Sequence, residues 1–209
     1  MPLSHRIAKA FAAHQPATMQ RIPGRSNDRA AGVLVPLIVD PEPCIVLTLR
    51  AAGLRQHASE VSFPGGKPDI GDESLQHTAL REANEELGLH HVQVLGQLTP
   101  VPVFTSEFFL TPFVGLISQV PEIGSPHEVA KVLQLRVLDV LQADFIDAIA
   151  FDVLGDTWLS PVFHADGYRV YGATAYVLFE VLTVLAEVLQ VALPERRVGR
   201  YSWESVRYR

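Results

Sequence analysis

The reading turns on Leu80-Arg81-Glu82-Ala83-Asn84-Glu85-Glu86-Leu87-Gly88. A helix turns about 100° per residue, so Glu82, Glu85 and Glu86, at i, i+3 and i+4, project from one narrow face and their carboxylates are expected to converge. Leu80, Ala83 and Leu87 point away from that face and can pack the helix on a sheet, which predicts an acidic surface facing outward. Gly88 is the residue type favoured just past a helix end, and the helical stretch reads back to about Glu73. Like charges at this spacing repel by a few tenths of a kcal/mol per pair, so helix propensity does not account for the cluster. The bland alternative, a solvated face paired with bases one turn away, is short of cations: only Arg81 lies in the helix, and no lysine occurs between Lys67 and Lys131. A hard divalent cation held by carboxylate oxygens would relieve the repulsion.

Upstream, Phe63-Pro64-Gly65-Gly66 forms a glycine turn whose N–H groups can receive phosphate oxygens with no side chain in the way. Before it, Arg50, Arg55 and His57 concentrate positive charge in a chain whose formal net charge is −6. That acidic balance argues against nonspecific attraction to nucleic acid backbones, so a polyanionic partner needs a metal or a local basic patch.

Gly32 to Val39 and Cys44 to Leu49 read as two strands joined through Asp40-Pro41-Glu42-Pro43. His91 to Leu98 and Thr111 to Ile117 read as strands, whereas Glu128 to Val140 fits strand or helix. Thr157 to Phe163 and Tyr168 to Tyr171 read as a strand pair, followed by an amphipathic helix from Ala173 to Leu189. With 48% hydrophobic and 19% charged residues in 209, a single folded core is expected. The expected division is residues 1–30, a short helix (Ser4 to His14) with a connector; residues 31–193, the domain itself; and residues 194–209, a tail. Residues Met1 to Asn27 contain no acid, a bias shared with organellar targeting segments, but the helix-and-connector reading is preferred. The longest apolar candidate for a membrane span, Ala173 to Leu193, is interrupted by Glu180 and Glu187, so no membrane partner is expected. The only cysteine, Cys44, sits in an apolar run and reads as a core hydrophobe in a reducing, cytoplasmic setting. His77, His90 and His91 lack metal-ligand partners at useful spacing, and Trp158 and Trp203 read as packing residues.

These residues together resemble the Nudix box: G, five residues, E, seven residues, then R-E-U-x-E-E-x-G-U, with U aliphatic. Arg81, Glu82, Glu85, Glu86, Gly88 and Leu89 fall on its second half, with Ala83 as a small U residue. A chance match of the fixed residues is on the order of one in a hundred thousand for this length. Six residues rather than five separate Gly66 from Glu73, so either Glu73 or Asp72 takes the position of the first glutamate. The chain also resembles the coenzyme A pyrophosphatase branch, whose signature is approximately L-T-x-R-x-x-x-L-R-x-H-x-G-x-x-x-F-P-G-G. Leu47-Thr48-Leu49-Arg50, Leu54-Arg55, His57 and Phe63 to Gly66 match it, with Ser59 where that branch usually has glycine. Glu128-Val129-Ala130-Lys131-Val132 and Tyr171-Gly172-Ala173-Thr174-Ala175 extend the similarity.

The resemblance implies an α/β fold, an α/β/α sandwich with a mixed sheet flanked by helices. It implies Mg2+- or Mn2+-dependent hydrolysis of a pyrophosphate bond, with Glu82 and Glu86 as metal ligands, Glu85 supporting the site or a second ion, and Arg81 orienting the glutamates. Of the downstream acids Glu107, Glu122 and Glu128, Glu128 is ranked first as auxiliary catalytic group. Arg50, Arg55, His57, Gly65 and Gly66 are the substrate-binding candidates. The implied partner is a small-molecule nucleotide, first coenzyme A or an acyl derivative; a homodimer is compatible with this. ADP-ribose, NADH or another dinucleotide is the alternative substrate class, and a Nudix-fold binding protein without turnover the alternative function.

Overall fold

The structure, a computed structural model, describes residues 1–19, 21–54, 57–153 and 155–207. Along the chain run α1 (Leu3–Ala13), β1 (Arg29–Ile38), β2 (Cys44–Arg50), β3 (Val61–Ser62), β4 (Gly65–Gly66), α2 (Leu75–Leu87), β5 (Gln93–Gln97), β6 (Val101–Pro102), β7 (Phe108–Leu116) and β8 (Val129–Arg136). There follow α3 (Val137–Leu141), β9 (Ile146–Val153), β10 (Asp156–Ala165), β11 (Tyr168–Val170), α4 (Gly172–Leu189), β12 (Arg196–Val198) and α5 (Trp203–Arg207).

β1 organises the molecule. Its side chains alternate between two apolar faces, as expected of a strand buried on both sides. Val33, Val35 and Leu37 join Ile45 and Leu47 of β2 against α1 and α4, while Leu34 faces Ala79 and Ala83 of α2. The result is the α/β/α arrangement with a mixed sheet that the resemblance implied. β7 runs parallel along the whole of β1, from Arg29↔Phe108 to Leu37↔Leu116. On the other edge β1 pairs antiparallel with β2 only near Leu37↔Ile45, and farther back with β4 at Gly32↔Gly66 and Val33↔Gly65. β1 and β2 therefore splay apart, and residues Val61 to Gly66 occupy the opening. A second sheet, ordered β11-β10-β9-β12, lies beyond the first.

Several elements differ from the sequence expectation. The box helix starts at Leu75 rather than about Glu73, because the Ser74 hydroxyl accepts the His77 N–H at 3.1 Å and caps it. Glu128 to Val140 is both strand and helix: along β8 Leu133 and Leu135 are buried with Ile45 and Leu47, Val129 is buried on the other face with Val46, and one helical turn follows at Val137. β9 and β12 had no counterpart among the expected strands. The last residues are not a free tail, since Arg196↔Ile146 to Val198↔Ala148 extend the second sheet and Val206 is buried beside Ile149 and Val162. At the other end, α1 buries Ile7 and Phe11 in the main core.

By length and composition α4 could cross a membrane, yet its Val177, Leu178, Val181 and Leu182 are fully enclosed in that core. Glu180 of α4 accepts the Thr99 N–H at 3.1 Å and the Thr99 hydroxyl at 2.7 Å and lies 2.7 Å from His14 Nε2, tying α1 and the segment after β5 to the helix.

Candidate active site

The splay between β1 and β2 places the glycine turn directly over the acidic face of α2. A Cβ at Gly66 would push the Glu82 carboxylate aside, so glycine lets the turn and this carboxylate lie in contact. Gly32 meets the opposite constraint, since a Cβ there would collide with the Leu75 carbonyl at the start of α2.

The acids consequently do not face outward as α2 alone suggested. Glu86 is only 4% exposed, and its carboxylate accepts the Gly65 N–H. Glu82 is half-buried. The three glutamates also do not share one fate. Glu85 stays exposed and takes a 3.1 Å hydrogen bond from Arg81 Nη1, the i,i+4 pairing of an ordinary solvated helix face. Among the described residues no three metal-ligating side chains already close into a cage.

Arg81 connects the parts. Its Nε and Nη2 donate to the Asp72 carboxylate at 3.1 to 3.3 Å, Nη2 donates to Glu82 at 3.0 Å and to the Lys67 carbonyl at 3.1 Å, and Nη1 reaches Glu85. Asp72 also accepts the Thr78 hydroxyl at 2.9 Å, and the Arg81 guanidinium holds its carboxyl well below the usual carboxylate range. Of the two candidates for the first acid of the box, Asp72 is thus the one engaged with Arg81. The Glu73 N–H instead points to His77 Nδ1 at 3.3 Å.

Burial pushes the Glu86 carboxyl up to about 8, with Glu82 and Glu128 adding negative charge and the Gly65 N–H and Arg50 opposing. Burial likewise raises Glu82, against the pull of Arg81. Two carboxylates withdrawn from water, with a third close enough to disfavour both charges, make a donor set that a hard divalent cation fits: oxygen ligands whose repulsion the cation removes.

Glu82, Glu86, Glu128, Gly65 and Gly66 line a cavity of about 830 Å3, and so do Arg50, Leu54, His57, Lys67 and Arg81. Glu107 lies in none of this; it binds the Ser26 and Asn27 N–H groups at 2.8 and 3.1 Å and pairs with Arg25 at 3.0 Å, securing the entry to β1. His57 is not a free base, since its Nδ1 lies 2.7 Å from Glu60 Oε2. Arg55 falls outside the described residues. Ser59 has φ +60°, a left-handed conformation that glycine adopts without strain. The cavity also has an aromatic wall that sequence reasoning missed. Phe104, Phe151 and Trp203 come from three distant segments, and no periodicity relates them. Trp203, expected only to pack, does so beside Val206 and also lines the cavity.

A glycine turn over a capped acidic helix, on the splayed edge of a mixed sheet, defines the class, and the comparison with known families agrees. Residues 28–154 match the family described as NUDIX domain, and the chain belongs to that family. It is a Nudix hydrolase. Among its relatives is a protein of Photorhabdus laumondii named "Uncharacterized Nudix hydrolase NudL", 37% identical over 79% of this chain and 87% of the relative. A second of the same name, from Cronobacter sakazakii, is 40% identical over 77% of this chain and 85% of its own. A solved Nudix hydrolase from Alicyclobacillus acidocaldarius superposes with a TM-score of 0.43 at 21% identity, covering 59% of this chain and 82% of that one.

Proposed function

We propose that this Nudix hydrolase cleaves the pyrophosphate bond of coenzyme A or an acyl derivative, giving 3',5'-ADP and a 4'-phosphopantetheine. The observation that carries the reading is that the signature residues Arg50, Leu54, His57, Gly65 and Gly66 line one cavity with Glu82, Glu86 and Glu128. Positive charge for a remote phosphate and acids for a metal are then presented to the same substrate.

Glu82 and Glu86 would hold Mg2+ or Mn2+, which supplies charge neutralisation on the bridging oxygens and a water of lowered pKa. Arg81, fixed by Asp72, positions the Glu82 carboxylate at 3.0 Å and keeps Glu85 off the cavity. The Gly65 N–H is given to Glu86 and Gly66 pairs with Gly32 of β1, so the two glycines serve the close approach of backbone and acids. Glu128 takes the proton of the attacking water on its carboxylate as the new P–O bond forms and the bond to the leaving phosphate breaks. Arg50 offsets negative charge at Glu86. Among the described residues nothing accepts a hydrogen bond from its buried Nε.

A second reading, hydrolysis of ADP-ribose, NADH or another dinucleotide, uses the same acids. It is favoured by the His57–Glu60 pair, which commits His57 to an acid at 2.7 Å and leaves less of the basic segment for a 3'-phosphate. A substrate panel with Mg2+ separates the two: coenzyme A, acyl derivatives, ADP-ribose, NADH and nucleoside triphosphates. Coenzyme A should be cleaved much faster than its analogue lacking the 3'-phosphate, and equal rates would remove coenzyme A from first place.

A further inference from the structure

The cavity extends well past its acids. Phe104, in the connection between β6 and β7, meets Phe151 of β9 with ring centroids 5.2 Å apart and planes at 88°. Phe151 in turn meets Trp203 of α5 at 5.8 Å and 74°. In each edge-to-face pair one ring presents its edge, so its own faces stay clear of the partner. Phe104 is 37% exposed, an unusual state for a ring that could have joined a core, and all three rings line the cavity that holds Glu82 and Glu86. Trp203 is braced from behind by the cluster of Ile149, Val162 and Val206.

Strand register gives the spacing of Phe104 from the level of the acids: the Val103 N–H donates to the Phe108 carbonyl at 2.9 Å, so Phe104 follows directly on the level of Phe108. Phe108, which also lines the cavity, stands opposite Arg29 of β1, and Gly66 stands opposite Gly32. Three strand residues separate the two levels, about 10 Å at about 3.3 Å per residue. A ribose and its 5'-phosphate bridge a gap of that order between a base and a pyrophosphate. The wall joins the two sheets, since Phe104 leads into β7 of the first and Phe151 belongs to β9 of the second.

We propose that Phe104, Phe151 and Trp203 form a stacking subsite for the planar heteroaromatic base of the substrate, which makes the segment carrying α5 a specificity element of the enzyme. The inference rests on the reading of the substrate as a nucleoside diphosphate derivative. Stacking accepts any base, because every base offers a π-face, so this subsite selects nucleotides over other diphosphate esters and leaves the choice of base open.

Trp203 can report on its own occupancy. The chain has 2 tryptophans, and Trp158→Phe leaves Trp203 as the only one. In that variant, AMP should quench the fluorescence saturably and ribose 5-phosphate should not. No quenching by AMP overturns the subsite whatever the enzyme hydrolyses, and quenching by pantetheine in place of AMP reassigns the wall to an apolar chain and overturns it too. In turnover, Trp203→Leu and, separately, the more exposed Phe104→Ser should lower the ratio of kcat/KM for a base-bearing diphosphate over a base-free diphosphate diester. The loss should be roughly five- to hundredfold and appear in KM. If both substrates lose equally, the wall is only structural and the inference fails while the hydrolase reading stands. If the unmodified enzyme cleaves no nucleotide, the substrate reading fails and the quenching titration alone decides the subsite.

Discussion

Glu86 offers a test of the metal site that needs no substrate. Its carboxyl moves from an ordinary 4.5 to about 8 in the fold, so the folded protein binds that proton more tightly than the unfolded chain. For such a raised carboxyl the stability is fully present below about pH 4.5 and is lost as the pH climbs toward 8. At about 1.4 kcal/mol per pH unit, the charged form costs the metal-free fold about 4 kcal/mol at pH 8. Glu86→Gln keeps the shape and the acceptor for the Gly65 N–H while carrying no charge. In urea titrations with EDTA, the variant and the native protein should agree within about 1 kcal/mol at pH 5, and the variant should be the more stable by about 4 kcal/mol at pH 8. Taking the difference between the two proteins cancels the titration of groups they share. Mg2+ should then stabilise the native protein and reverse the order, because only the native site gains a ligand by mass action. A difference that does not change with pH, or equal stabilisation of both proteins by Mg2+, would refute the reasoning.

Further outcomes follow from the site and, for Arg55, from the sequence signature alone. Glu86→Gln should also abolish Mg2+-dependent turnover with the fold intact by circular dichroism, and an active variant would sink the metal assignment. Arg55→Ala should raise KM about ten- to a hundredfold and leave kcat and the Mg2+ dependence unchanged, the effect of losing a charge-assisted contact made equally in ground and transition states; a fall in kcat alone would place Arg55 at the reacting phosphates. Gly66→Ala should displace the Glu82 carboxylate and weaken Mg2+ activation, measured as a higher half-saturating Mg2+ concentration; an unchanged value contradicts the close approach. Ser59→Gly should leave stability the same or raise it by up to about 1 kcal/mol, since relief of a left-handed residue outweighs the extra chain entropy of glycine. A clear loss in its urea midpoint would show that the Ser59 side chain itself is needed.

The box helix was legible because its signal is local: three acids at i, i+3 and i+4, ended by a glycine. What α2 alone could not reveal is which side of it another segment covers. Glu86 is buried because Gly65 and Gly66 pair with β1, a contact made across more than thirty residues. That Asp72 rather than Glu73 meets Arg81 likewise depends on where Arg81 reaches once Ser74 has fixed the start of the helix. In the ambiguous stretch Leu133 and Leu135 keep a period-two burial while Val129 turns to the other face, and the helical turn at Val137 masks so short a signal. β12 is three exposed residues whose strand partner lies some fifty positions earlier, so nothing near it announces a strand. Trp203 belongs to the same late segment, and its place in the cavity depends on that pairing and on the burial of Val206.

The parallel pairing of β1 with β7 also sets a timetable for the emerging chain. β1 can form its hairpin with β2 early, but its other edge stays open until Phe108, 79 residues after Arg29, has left the ribosome. Trp203 follows Glu82 by 121 residues, roughly 6 to 24 s later at 5–20 residues per second. For the roughly 4 to 16 s that the 79 residues from Arg29 to Phe108 take, the nascent protein carries an unpaired strand edge, which is the period in which a chaperone or a wrong partner competes for it.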